Sequence, residues 1–207
     1  MLKSVLVTNP KGGCGKTTIA TNLAVAFSSA GFPTALADAD PQASSLDWLS
    51  SRPETAPGIE GLNWSKKIKR PGKKIERLVV DSPAAMDPES LRELVRAVDT
   101  VLVPVLPSIF DARATATFLK GFADLKPIRK GKKPFAVLRN RCRTGSRAVK
   151  RLDSFVLGIN AADVGWLPER SLYNEVAWQG LSVFDLRTKA ALDVQRDWIP
   201  ITRFLEN

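Results

Sequence analysis

The ten residues Asn9-Pro10-Lys11-Gly12-Gly13-Cys14-Gly15-Lys16-Thr17-Thr18 constrain this chain more than any others. They follow an apolar run, Val5-Leu6-Val7, and open a segment from Thr17 to Ala30 that reads as a helix closed by Gly31. Strand, glycine loop and helix, in that order, is the setting in which a glycine-rich match becomes a phosphate site. Glycines let the backbone wrap so that several N–H groups face one concavity. The helix start adds unpaired N–H groups and the positive end of its dipole. On this reading Gly12, Gly13, Cys14, Gly15, Lys16, Thr17 and Thr18 cradle the phosphates of a nucleotide. The Lys16 ammonium sits on the β- and γ-phosphates, and the Thr17 hydroxyl ligates Mg2+. A plain glycine turn leaves two lysines and two threonines around three glycines without a purpose.

At 207 residues the chain is long enough for one well-buried domain and short for two, so a single domain over 1–207 is expected. No apolar run approaches the ~18 residues that a membrane helix needs. Histidine is absent, which removes the commonest general base and the commonest metal ligand. Hydrolysis here must therefore rest on carboxylates, lysines, backbone and Mg2+. Cys14 and Cys142 are far apart and outside any C-x-x-C pair, which suits a reducing, cytoplasmic setting. The formal net charge of +10 favours an anionic partner surface, either nucleic acid or acidic lipid.

Further along, Pro33–Asp38 reads as a second strand ending in the carboxylates of Asp38-Ala39-Asp40-Pro41-Gln42, followed by a short helix over Ser44–Ser50. Leu62–Ser65 suggests another strand. Leu78-Val79-Val80-Asp81 is an apolar strand running into an acid, the form of a site that holds Mg2+ through Asp81. A helix is expected over Pro88–Val98, a strand over Thr100–Val105 and a helix over Asp111–Leu125. Then come a strand at Phe135–Leu138, a helix at Ser146–Leu157, a strand from Val164, a helix at Ser171–Trp178, and a last helix, Thr188–Phe204, interrupted near Pro200. Alternating strands and helices predict an α/β fold with a mostly parallel sheet of about seven strands.

Two basic runs stand out: Lys66 to Arg77, and Lys126 to Arg151 with no intervening acid. In the second, Arg147, Lys150 and Arg151 share one helix face at i, i+3 and i+4 spacing, so Arg143, Arg147, Lys150 and Arg151 are candidates for contacting successive phosphates of DNA. The bland reading of either run is a solvated surface.

The loop departs from the common pattern G-x-x-x-x-G-K-[ST], because Pro10 stands where its first glycine would be. The string K-G-G-C-G-K-T-T, with Lys11 at its mouth, resembles the deviant Walker A box of the ParA/MinD family of dimeric ATPases. The resemblance covers nearly the whole chain and is strongest at residues 9–18, 38–42 and 78–83. It implies a P-loop NTPase fold, with Lys11 reaching the partner subunit's nucleotide. It also implies that Asp40 lies in switch I, near the metal, where it helps set the attacking water. Asn140 and Arg141 follow a strand where the family often contacts adenine, and the Pro168 loop is similar to one that lines the base; Glu169 stands there in place of a commoner arginine. Pro107-Ser108-Ile109-Phe110-Asp111 resembles a family turn before a helix.

What the resemblance implies about function is an ATP- and Mg2+-dependent positioning ATPase. It would form a nucleotide-dependent homodimer, bind nonspecific duplex DNA of the nucleoid, and move a plasmid, a carboxysome or a protein cluster. A ParB-like or cargo-adaptor protein would stimulate slow hydrolysis. Met1 falls only a few residues before the first strand, so the compact kind, without a helix-turn-helix domain, is expected. A MinD-like membrane ATPase is the alternative. Its basic terminal amphipathic helix is poorly matched by Ile201-Thr202-Arg203-Phe204-Leu205-Glu206-Asn207, so no stable membrane anchor is expected. An iron-sulfur relative would need two interface cysteines, and a small-molecule ligase would leave the basic surface idle.

Overall fold

The computed structural model describes residues 2–157 and 161–207, apart from the side chains at 109, 111–113, 126, 155 and 157. The Asp111 and Lys126 side chains named above therefore lie outside the described residues. Seven strands form one sheet in the order β3-β2-β4-β1-β5-β6-β7, and every pairing is parallel. They are β1 (Lys3–Val7), β2 (Thr34–Asp38), β3 (Ile59–Asn63), β4 (Arg77–Asp81), β5 (Thr100–Val105), β6 (Phe135–Cys142) and β7 (Ala162–Pro168).

The inner strands β1, β2, β4 and β5 are buried on both faces, and alternate residues feed two cores. Val5, Val7, Leu36, Val79, Leu102 and Leu138 face one layer of helices: α1 (Lys16–Ser29), α7 (Leu172–Ala177), α8 (Lys189–Arg196) and α9 (Ile199–Glu206). Leu6, Ala35, Val80, Val103 and Val137 face the other layer: α3 (Pro88–Ala97), α4 (Ile109–Ala123) and α6 (Arg147–Leu157). Helix α1 is buried on nearly every side, through Ile19, Ala20, Leu23, Ala24 and Phe27. Its polar residues, Lys16, the threonines, Asn22 and the serines of the last turn, cluster at its two ends or are themselves covered, so no continuous polar face opposes the burial. The short helices α2 (Ser44–Ser50) and α5 (Lys126–Arg129) complete the set. Among the described residues, no helix is long and apolar enough to cross a membrane.

Several expected boundaries shift for physical reasons. Strand β3 lies at Ile59–Asn63 rather than Leu62–Ser65. Gly61, which reads as a breaker, is the point where β3 passes over α2: a Cβ there would stand 2.9 Å from Leu49. Strand β6 runs on to Cys142, past the expected Leu138, because it keeps pairing with β7 through register shifts. The final helix is two helices: α8 ends before Asp197, and Pro200 sits in the first turn of α9, where its missing N–H costs nothing. The basic runs also lose two members. Arg77 is 6% exposed, pairs with both carboxylate oxygens of Glu206 at 2.7 Å and stacks 3.8 Å from the Phe32 ring centroid. Arg139 is held by Asp153 and Asp163.

The placement of β1 matters most for function. It lies at the centre of the sheet, where the chain turns first toward β2 and later toward β5. In open parallel sheets a crevice forms outside the carboxyl ends of the strands at such a point.

Candidate functional site

The stretch from Asn9 to Gly15 leaves the carboxyl end of β1 and closes on the start of α1. Two of its residues need glycine: Gly13 at φ 74° and Gly15 at φ 93°. Asn9 fixes the entry. Its side-chain amide donates to Pro104 O at 2.7 Å and Thr115 Oγ1 at 3.0 Å, and its Oδ1 accepts from Lys11 N at 2.9 Å. Asn140, 6% exposed at the end of β6, braces the other side by donating to Cys14 O at 2.8 Å. A Cβ on Gly15 would overlap that amide. The first N–H groups of α1, from Lys16 onward, have no intrahelical acceptors and open onto the loop.

Lys16 is 8% exposed and turns back on its own loop, its Nζ donating to Lys11 O at 3.1 Å. The Cys14 thiol also points at Lys11 O, at 3.2 Å. The Lys11 side chain is exposed at the mouth, as are Gly12 and Gly13.

Three carboxylates gather at the carboxyl ends of two adjacent strands, Asp40 in the turn just past β2. Asp38 and Asp81 are in register at the carboxyl ends of β2 and β4, and Val7 of β1 pairs with Asp81. Asp38, 1% exposed, is fully engaged: Oδ2 accepts from Ser45 N at 2.9 Å, Ser45 Oγ at 2.6 Å and Leu46 N, while Oδ1 accepts from Asp40 N at 2.9 Å. It thereby starts α2 and shapes the turn that presents Asp40. The Asp40 carboxyl closes a local turn onto Gln42 N at 2.9 Å and remains partly exposed.

Asp81 differs from both. It is 2% exposed, its Oδ1 has no hydrogen-bond partner, and the Thr17 hydroxyl lies against its carboxyl. Burial pushes its pKa up to about 7. Asp38 and Asp40 add repulsion, while the Thr17 hydrogen bond and the Lys16 charge pull the other way. An unpartnered, desolvated oxygen beside a hydroxyl and a lysine is suited to a divalent cation arriving with phosphates, which would hold Asp81 ionised. The residues present therefore fit Mg2+, with Thr17 and Asp81 facing it and Asp40 nearby.

On the far side of Thr18, a cavity of about 120 Å3 is lined by Thr18, Asn140, Arg141, Pro168, Tyr173 and Trp198. Asn140, Arg141 and Pro168 thus come together beside the phosphate loop, although the Asn140 amide is turned to the loop backbone and Arg141 is exposed at φ 52°. Arg143, Arg147, Lys150 and Arg151 are exposed and lie elsewhere, on and before α6, and Arg143 pairs with Glu169.

Sequence reasoning missed the parts that hold the site. Asn9 looked like loop, and Asp38 like one half of a doublet. Arg52 and Asp185, each 6% exposed in their side chains, form a two-pronged ion pair at 3.0 Å on both arms. Arg52 also donates to Gly180 O at 3.2 Å and lies 5.2 Å over the Trp48 ring. This bolts the end of α2 to the segment around the 3-10 turn Val183–Asp185. The only sequence signal for it is Gly180: at φ 65°, it touches the Ser51 backbone where a Cβ would overlap.

A glycine loop opening a helix at the centre of a parallel sheet, with an acid on the neighbouring strand, defines a P-loop-type nucleotide-binding domain. Residues 5–172 match the model of the CobQ/CobB/MinD/ParA nucleotide binding domain, and the chain belongs to that family. It is 28% identical over 200 residues to the maintenance of carboxysome distribution protein A of Halothiobacillus neapolitanus, covering 92% of this chain and 91% of that one. Among solved structures, it superposes on MinD of Aquifex aeolicus with a TM-score of 0.75 at 20% identity, over 99% and 97% of the two chains. The ATP complex of Cyanothece McdA gives 0.73 at 16% identity, over 99% and 95%. These two likenesses concern the fold. The expected family and architecture hold, and the sheet is parallel throughout.

Proposed function

We propose that this chain is an ATP-driven positioning ATPase of the cytoplasm, which closes into a homodimer on ATP and in that state holds nonspecific DNA of the nucleoid. The observation that carries this reading is the pair of lysines on one loop: Lys16 folded inward at 8% exposure and Lys11 held outward at the mouth. A single subunit has use for one phosphate lysine; a second one facing away suits a site completed by another copy. The similarity to a carboxysome distribution protein over nine-tenths of the chain supports a carboxysome or a comparable protein assembly as cargo, with an adaptor protein stimulating hydrolysis.

In this mechanism Lys16 leaves Lys11 O for the β- and γ-phosphates, which frees the loop carbonyl and opens the cradle. Magnesium bound with the nucleotide would shield the phosphate charge. Thr17 and Asp81 would hold it, with Asp81 ionised and its proton released to solvent. Asp40, on its short turn, orients the attacking water, and Lys11 of each subunit neutralises charge on the other's phosphates. Exposed cations on α6 meet DNA phosphates without reading bases.

A membrane-bound mode is less well supported. The apolar face of α9, Ile201 and Leu205, is buried in the core, and Glu206 is tied to Arg77 and Lys3. The deciding experiment is binding to random-sequence duplex DNA with ATP, with ADP and without nucleotide, at two salt concentrations. Binding that requires ATP and weakens with salt is expected; equal binding in all three states would refute the reading.

A further inference from the structure

We infer that the segment between β3 and β4 is a second DNA-phosphate surface, acting on the same face of the molecule as α6. This rests on the proposed function for the nature of the partner, but on separate residues for the contact.

Residues 64–76 carry the chain from β3 across β2 to β4 without a helix, the one such crossover among the described residues. Its lining turns inward: Trp64 is 5% exposed, and Ile68 and Ile75 pack on the same core as α3, α4 and α6. The backbone is fixed as well. Trp64 N donates to Asp38 O at 2.8 Å, Gly72 N to Glu60 Oε1 at 3.0 Å and Ile75 N to Gly72 O at 3.0 Å. Lys66, Lys67, Lys69, Arg70, Lys73 and Lys74 are all exposed, and among the described residues none has an ion pair. Two acids adjoin the run: Glu60, which accepts from Gly72 N, and Glu76, two residues after Lys74, so the cations still outnumber the acids by six to two.

Six cations within nine residues repel one another, and the loop that carries them is pinned rather than free to spread them apart. Such an arrangement suits a partner that supplies closely spaced negative charge. Lys69, Arg70 and Lys73 also rim a cavity of about 510 Å3 floored by Trp64, Ile68 and Ile75.

The topology places this loop over β2 and α6 between β6 and β7, both on the layer that holds α3 and α4. With strands about 4.8 Å apart, the two basic surfaces lie about 20 Å apart across the sheet. Along the strands they are offset: Lys69, Arg70 and Lys73 sit beside Leu2, toward the amino ends, and Arg147 opens α6 beyond the carboxyl end of β6. A strand of five residues spans about 16 Å, so the separation is about 26 Å, still less than one helical turn of duplex, about 34 Å, and a duplex running obliquely across the strands reaches both. The intervening α3 carries Glu89 and Glu93 against Arg92 and Arg96, so it neither attracts nor repels strongly. Neither surface contains a residue of the phosphate loop, so ATP acts on them by pairing two subunits and not by reshaping the 64–76 segment.

The test compares three proteins: the native chain, Lys69→Gln/Arg70→Gln/Lys73→Gln, and Arg147→Gln/Lys150→Gln/Arg151→Gln. Binding to random duplex DNA is measured over a salt series, with ATP and without nucleotide; thermal melting confirms that each variant folds. Each triple should lower the slope of log K against log salt by about 2 to 3, and the two losses should add. The loop triple should do so with ATP, the state in which binding is expected. If ATP proves irrelevant to binding yet the loop triple flattens the slope, the positioning reading fails and this surface stands. If ATP gates binding but the loop triple leaves slope and affinity unchanged, this inference is overturned and the positioning reading stands. Loss of binding to phosphatidylserine vesicles with an unchanged DNA slope would equally overturn it, in favour of an acidic membrane.

Discussion

Replacing Asp81 with Asn tests the electrostatics of the site without disturbing its shape. In the nucleotide-free fold, burial raises this carboxyl from 3.8 to about 7. Below the lower value both folded and unfolded chains hold the proton, and the group has no effect. Between the two values the unfolded chain is ionised while the folded one keeps its proton, so stability falls as pH rises; above the higher value it is level again. At about 1.4 kcal/mol per unit the total is about 4 kcal/mol, and about 2.5 kcal/mol of it is lost between pH 5 and pH 8. Asparagine has no such titration. The stability of Asp81→Asn relative to the native chain should therefore grow by about 2 to 3 kcal/mol over that interval, equivalent to about 5 to 10 °C in melting temperature for a chain of this size. Calorimetry without nucleotide or Mg2+ at pH 5, 6, 7 and 8 measures it directly. Adding ATP and Mg2+ should reverse the order at pH 8, because only the native chain offers the metal a carboxylate. A stability gap that does not change with pH would show that Asp81 is ionised in the empty site, with Lys16 already compensating it, and the reasoning would be wrong.

Other outcomes follow from the same geometry. Lys11→Ala should keep one-subunit ATP binding within about tenfold yet lose ATP-dependent dimerisation in sedimentation, since its side chain stands outside its own cradle; a dimer that survives would remove the cross-subunit role. Asn140→Ala should cost about 1 to 3 kcal/mol in the apo melt by leaving Cys14 O without its buried donor, and should weaken ATP binding by loosening the phosphate loop; an unchanged apo melt would mean the brace is not formed. Gly180→Ala should cost about 2 to 4 kcal/mol in urea unfolding, because the residue is at positive φ and its Cβ meets the Ser51 carbonyl. Arg52→Ala should cost about 3 to 5 kcal/mol by leaving Asp185 buried without its partner, and a loss below 1 kcal/mol would mean the pair is not formed.

The legible parts of this molecule were those whose chemistry is local. The phosphate loop announces itself because φ above zero and close backbone approach demand glycine at Gly13 and Gly15 themselves. Strands β1, β2, β4 and β5 were readable because a parallel sheet covered on both faces needs unbroken apolar runs. Charge was a poorer guide. Arg77 and Arg139 belong to basic runs in the sequence, yet each is partly buried and paired with acids more than ten residues away, Glu206 in one case, and Asp153 and Asp163 in the other. Nothing local distinguishes them from Lys69 or Lys150. Asp38 was seen as a strand-end acid, but its work is to start α2, and that depends on Ser45 folding back over it. Gly61 and Gly180 read as punctuation. In the fold they are places where one segment presses on another, which only the assembled chain reveals.

The turn that carries Asp40 is short and anchored at both ends. Ala39 N donates to Asp81 O at 2.9 Å on one side, and Asp38 holds Ser45 on the other. Beyond it, α2 is locked at its far end by Arg52, Asp185 and the Gly180 crossing. Residues 40–43 are therefore the stretch left between the two anchors, with Ala43 in the left-handed region at φ 53°. On the proposed function, a switch at these four residues would order little new backbone on closing. It would move without disturbing the core, so the pace of the cycle would be set by what docks on the closed form rather than by refolding of the switch itself.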